Sequence, residues 1–144
     1  MSSAQGAAAR TTPAAHSYLA FDFGTQRIGV ASGNSVTRSA APLVTVAEAG
    51  DKRFEAIGKL IAQWQPDALV VGVPRHPDGA PHENTARALR FARQLRGRFA
   101  LTVHEVDERY TTTQARAAGA KDLDAASAAI ILEQFLNPIA VAHE

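Results

Sequence analysis

Apolar positions along the chain follow two rhythms, and the change falls near residue 50. Before it, short runs are bounded by turn residues. Tyr18 to Phe23 and Arg27 to Ser32 read as strands joined by the turn Phe23-Gly24-Thr25-Gln26, with Ile28, Val30 and Ser32 alternating with smaller residues. Ser39 to Val46 reads as a third strand after the polar loop Gly33 to Arg38. Three strands joined by short loops predict an antiparallel meander. From Asp51 to Gln65 the spacing is helical, with Phe54, Ile57, Leu60, Ile61 and Trp64 on one face, and Pro66-Asp67 stops it. Ala68 to Val73, ALVVGV, is continuously apolar, as in a strand covered on both faces. After a loop rich in Pro, His and Gly, Glu83 to Phe99 is a second helix and Leu101 to Val106 a fifth strand. Thr111 to Ala118 reads as a short helix, and Leu123 to Leu136 as a last one with Pro138 soon after it. A meander followed by alternating helix and strand predicts a mixed α/β sheet, and periodicity alone leaves several topologies open.

Composition narrows the class. The chain of 144 residues is one domain long enough to bury a sizeable core. It has no cysteine, so any metal would sit among oxygen and histidine ligands. No apolar run approaches the roughly 20 residues of a membrane helix. The opening stretch MSSAQGAAARTTPAAH lacks the apolar core of a signal peptide and carries a single arginine, which speaks against a transit peptide. It is expected to be a disordered tail over residues 1–16, ahead of a domain over 17–138 and a short tail over 139–144, in a cytoplasmic protein with no membrane partner. Net charge is only +1, so its distribution matters more than its total. On the helix from Glu83, the residues Ala88, Leu89, Phe91, Ala92, Leu95 and Phe99 gather on one side and Arg87, Arg90, Arg93 and Arg96 on the other. That arginine stripe suits either a phosphate backbone or plain solvent.

Three acidic positions interrupt or end apolar elements. Asp22 lies in the first strand, Asp107 and Glu108 close the fifth, and Asp124 begins the last helix. A carboxylate among buried residues costs several kcal/mol unless something pairs with it. Ligands of mixed sheets bind at the C-terminal ends of strands, and a helix N-terminus can be aimed at the same place. Carboxylates meeting there would repel one another unless a cation sat between them. Magnesium takes oxygen ligands, and two such ions about 3.5–4 Å apart stabilise both the attacking and the leaving oxygen of a phosphodiester cleavage. Blander roles also fit: Asp124 as a helix N-cap, and Asp107 or Glu108 as a partner of Arg109. Asp22 is the hardest to assign such a role.

Four stretches in order resemble the YqgF/RuvX family of pre-16S rRNA nucleases, also described as Holliday-junction resolvase-like: FDFGTQRIGVA, LVVGVPRHPDGAPHENT, VDERYTTTQA and LDAASAAIILEQFL. The resemblance spans about Tyr18 to Leu136. It implies a ribonuclease H-like fold with a five-stranded mixed sheet in the order 3-2-1-4-5 and helices on both faces. It also implies an active site of acidic residues and divalent metal, Mg²⁺ or Mn²⁺ and as a pair of ions, held by Asp22, Glu108 and Asp124. Asp107 either supports Arg109 or substitutes as a ligand. Arg27, Arg109, Thr111 and Thr112 match family positions near the site, and an arginine fork suits phosphate. Two departures stand out. Gln26 replaces a frequent lysine, and Arg75-His76-Pro77 adds positive charge beside the substrate path.

The expectation is therefore metal-assisted hydrolysis of a phosphodiester, with RNA as partner: the 5′ end of pre-16S rRNA in a pre-ribosomal particle. Branched DNA is the alternative substrate, and it would require a homodimer rather than a monomer to cut two strands. His76 and His82 either contact substrate or are simply solvated, and His104 is structural. With most phenylalanines at apolar positions, no aromatic platform for bases is expected. Two other classes compete. DFGT also resembles the phosphate turn of actin-like ATPases, which need a second domain. A non-catalytic nucleic-acid-binding or ribosome-binding factor would bind without cleaving.

Overall fold

The structure is a computed structural model and describes residues 16–76, 78–108, 119 and 121–138. Of the tail expected over 1–16, residues 1–15 lie outside the described residues, as do the tail expected over 139–144 and the short helix expected over Thr111 to Ala118; His16 exchanges hydrogen bonds with Ser35.

In chain order the elements are β1 (Ser17–Asp22), β2 (Ile28–Asn34), β3 (Ala40–Val46), α1 (Asp51–Trp64), β4 (Ala68–Pro74), α2 (Thr85–Phe99), β5 (Thr102–Glu108) and α3 (Leu123–Leu136). They form one sheet in the order β3-β2-β1-β4-β5. The β1–β2 and β2–β3 pairs are antiparallel, whereas β1–β4 and β4–β5 are parallel. The expected meander and strand order are both present. Pro42 lacks the N–H that an inner strand needs, and it lies on the edge strand β3 beside a break in register at Val30/Ala31.

Alternation of side chains divides the core in two. Leu19, Phe21, Ile28, Val30, Leu69 and Val71 pack on one face against Phe54 and Ile57 of α1 and Phe91, Ala92 and Leu95 of α2. Ala20 and Val70, on the other face, meet Ile131, Leu132 and Leu136 of α3. Phe91 joins both helices to the sheet, with its ring centroid 5.9 Å from Phe21, 5.1 Å from Phe23 and 6.0 Å from Phe54. Small residues bring α3 close to β2: Ala128 and Ala129 pack on Ala31.

Element ends differ from expectation where pairing or capping decides them. Phe23 leaves β1 to enter the turn, while β5 runs on to Glu108 because its pairing with β4 continues to Pro74. The second helix begins at Thr85 rather than Glu83. The buried Thr85 hydroxyl donates to the Pro74 carbonyl and accepts from the His82 amide, which ties the preceding loop to the end of β4. No helix among the described residues is long and apolar enough to cross a membrane.

Because Phe91 holds three rings, from β1, the turn after it and α1, Phe91→Ala is expected to cost about 3–5 kcal/mol. A urea midpoint that barely moves would show that α1 and α2 are held to the sheet by other contacts.

Candidate active site

The register places the acids. Asp22 is the last residue of β1 and lies beside Gly29 of β2 and Gly72 of β4. Glu108 ends β5 two pair positions beyond Gly72, and its Oε2 reaches back over that glycine: a Cβ on Gly72 would stand 2.9 Å from it. Asp22 and Glu108 thus share the face that α3 covers. A Cβ on Gly29 would fall 1.8 Å from the Asp124 carbonyl oxygen, so the first turn of α3 lies directly on the sheet there.

Asp124 is not the cap of its helix. Asp122 caps α3 by accepting from the Ala125 amide at 3.0 Å, and it also accepts from the Thr45 hydroxyl at 2.6 Å. The Thr45 bond is the chief reason the Asp122 carboxyl is held below the usual carboxylate range. Asp122 and Thr45 thereby fasten the start of α3 to β3, leaving Asp124 in the first turn with no capping task. Burial, then the facing charges of Glu108 and Asp124, push the Asp22 carboxyl up to about 7.

Arg27, at the end of the β1–β2 turn, places its Nε 3.2 Å from Asp124 Oδ2. The turn is itself fixed. Arg53 of α1 donates to the Thr25 carbonyl at 2.8 Å, and a Cβ on Gly24 would stand 2.5 Å from the Arg27 carbonyl oxygen.

Asp107, whose side chain alternates to the other side of β5, pairs with Arg75 at 3.1 Å. Arg75 also donates its amide to the Glu108 carbonyl at 2.8 Å. The Arg75 guanidinium therefore stands at the rim of the acid cluster rather than inside it. His76 and His82 follow in the same loop with ring centroids 5.2 Å apart, and His82 Nδ1 accepts from the Asn84 amide. His104 packs with Tyr18 and Phe135 well down the strand, a small aromatic cluster that the sequence did not suggest. Arg87, Arg90, Arg93 and Arg96 are exposed on α2, on the opposite side of the sheet from the acids, and Arg96 is bound to Glu105 and the Val103 carbonyl. That placement favours a solvated helix face. Arg109, Thr111 and Thr112 lie outside the described residues.

The chemistry of the donor set suits a hard divalent cation. Burial, with the charges of Glu108 and Asp124 bearing on it, pushes the Asp22 carboxyl far above its ordinary range, and a bound cation would offset that cost. Ser127, three residues along α3 from Asp124, is fully buried, and its hydroxyl has no hydrogen-bond partner among the described residues. Nothing in the sequence marked Ser127, because a serine between alanines in a helix looks like a small packing residue. Among the described residues no three side chains already stand as a closed ligand set, and one Asp124 oxygen is engaged by Arg27.

A family model described as RuvX, Holliday junction resolvase, matches residues 16–138 of this chain. The chain belongs to the RuvX family. RuvX relatives include a protein of Polaromonas sp. (strain JS666), named "Putative pre-16S rRNA nuclease". It is 63% identical over 128 residues, which cover 89% of this chain and 93% of that one. A relative of the same name from Paraburkholderia phytofirmans is 59% identical over 133 residues, covering 88% and 91%. Among solved structures, T. thermophilus RuvC in complex with a Holliday junction substrate aligns with a TM-score of 0.52 at 13% identity, covering 87% of this chain and 96% of that one. That likeness identifies the RuvX fold here as ribonuclease H-like.

Two outcomes follow from the packing of the acids. Since ionised Asp22 is disfavoured in the folded chain, its cost is absent below about pH 4, grows as the pH rises towards 7, and is complete above that. At about 1.36 kcal/mol per pH unit, Asp22→Asn should stabilise the metal-free protein by about 2–4 kcal/mol at pH 8 and by nearly nothing at pH 4. Equal melting shifts at both pH values would mean that the carboxylates do not strain one another. Gly29→Ala, which has no space for its methyl group, should destabilise by about 3 kcal/mol or more, read by chemical denaturation. A variant as stable as wild type would refute the close seating of α3.

Proposed function

We propose that this chain is a divalent-metal-dependent nuclease that hydrolyses phosphodiester bonds, acting in maturation of the 5′ end of pre-16S rRNA. The observation that supports the reading is Asp22 at the end of β1, whose carboxyl is pushed up to about 7 by burial and by the charges of Glu108 and Asp124 from two other elements. RNA as substrate is supported by the names of relatives at 63% and 59% identity, and pre-ribosomal RNA in the cytoplasm is the setting this implies.

Asp22, Glu108 and Asp124 are the residues that hold Mg²⁺ or Mn²⁺, as a pair of ions. Bound there, the metal supplies an activated water and stabilises charge on the phosphate oxygens. The chain's own groups do the rest. The rigid ends of β1, β5 and α3 keep the carboxylates converged without reorganisation. Arg27 offers its guanidinium to a phosphate oxygen beside Asp124, and Arg75, braced by Asp107, meets the strand at the rim. Arg109, Thr111 and Thr112 complete the phosphate contacts. Asp107 is a brace in this scheme and not a ligand.

The test is cleavage of a 5′-extended 16S rRNA precursor fragment in Mg²⁺ or Mn²⁺, beside a four-way DNA junction. Cutting that stops on chelation and falls at least about a hundredfold in Asp22→Asn is the expected result. Cutting of the junction alone, with a dimeric mass in solution, would transfer the activity to branched DNA. Binding of RNA without cutting in either metal would replace the enzyme by a binding factor.

A further inference from the structure

One of the three site acids is already occupied. Arg27 reaches from the β1–β2 turn to Asp124 with 3.2 Å between Nε and Oδ2. Its side chain is 65% exposed and that of Asp124 30%. An ion pair this open to water changes an equilibrium constant by no more than about fivefold. It is too weak to be needed for the fold, and α3 is already fastened by Asp122, Thr45 and the contact at Gly29. Yet the turn that delivers Arg27 is built with care, through Gly24 and the Arg53 bond to Thr25. The pair also stands where a positive charge is most wanted, because Asp124 and Glu108 both bear on the carboxylate of Asp22.

We propose that Arg27 is a built-in counter-cation: it neutralises Asp124 while the site lacks a divalent ion, and it gives up that carboxylate when an ion binds. This rests on the reading of Asp22, Glu108 and Asp124 as cation ligands. The physical basis is competition for one set of oxygen lone pairs. Asp124 Oδ2 cannot accept from Arg27 and serve a metal in full at the same time, and a divalent ion held by three carboxylates outweighs a single exposed guanidinium. Arg27 therefore weakens metal affinity modestly, and it offsets the charge of Asp124 when metal is absent. Once released, it stands beside Asp124 with its donors free.

Two measurements on the full chain test this. In calorimetric titration with Mn²⁺ alone, Arg27→Gln should bind about two- to fivefold more tightly than wild type. In wild-type protein, the Arg27 side-chain Nε–H resonance, assigned by its loss in Arg27→Gln, should exchange slowly with water without metal and rapidly once Mg²⁺ saturates the site. Unchanged or weaker Mn²⁺ binding in Arg27→Gln, or an Nε–H signal indifferent to Mg²⁺, would overturn the proposal. Asp22→Asn separates the two levels of the argument. If wild type binds Mn²⁺ and Asp22→Asn does not, the acid site stands and Arg27 alone is judged. If neither wild type nor Arg27→Gln binds Mn²⁺, the ligand reading fails and the counter-cation falls with it.

Discussion

The close approach of α3 to the sheet at Gly29 is the contact on which the rest of the site depends. A helix backbone resting directly on a strand allows no intervening side chain, so the first turn of α3 sits at the height of the Asp22 carboxylate rather than a layer above it. Glycine at two positions makes this possible. Gly29 admits the helix, and Gly72 leaves the space that Ile131 and the Glu108 carboxylate fill. The Asp122–Thr45 bond then fixes the helix along its length direction. The acids do not choose to meet; packing brings them together, and their repulsion is the cost of that packing.

The division of labour between the two faces of the sheet follows. On the side of α1 and α2, aromatic rings and large aliphatic residues build most of the apolar core. On the side of α3, alanines and glycines bring the helix close to β2, and Ile131, Leu132 and Leu136 fill the space over β1 and β4. The first face supplies stability that the second, carrying mutually repelling carboxylates, cannot.

Much of this was legible in the sequence and some was not. Apolar runs, helical spacing on α1 and α2 and the turn residues between elements located all eight described elements. The order of strands came from the resemblance and not from periodicity, since hydrophobic spacing says nothing about which strand neighbours which. Asp22 was conspicuous because a lone acid in an apolar strand needs an explanation. Asp124 was ambiguous because two aspartates flank Leu123, and only three-dimensional contacts show that Asp122 takes the capping role. Asp107 and Glu108 are adjacent, and the pleat sends one to Arg75 and the other to the site. Ser127 and the Arg27–Asp124 pair were invisible, as both depend on distances between residues far apart in the chain.

That separation has a consequence for how the molecule comes into being. Asp22 and Asp124 stand about a hundred residues apart, and α3, which lies over β1, β2 and β3, is the last described element to be synthesised. Until it docks, the first three strands have one bare face and the acidic residues belong to unconnected segments. A growing chain therefore holds no assembled site, however much of its sheet has formed. Completion of the fold and assembly of the site are a single late event, so a protein made on the ribosome gains its reactive centre only after the segment carrying Asp124 has been released to close over the strands made first.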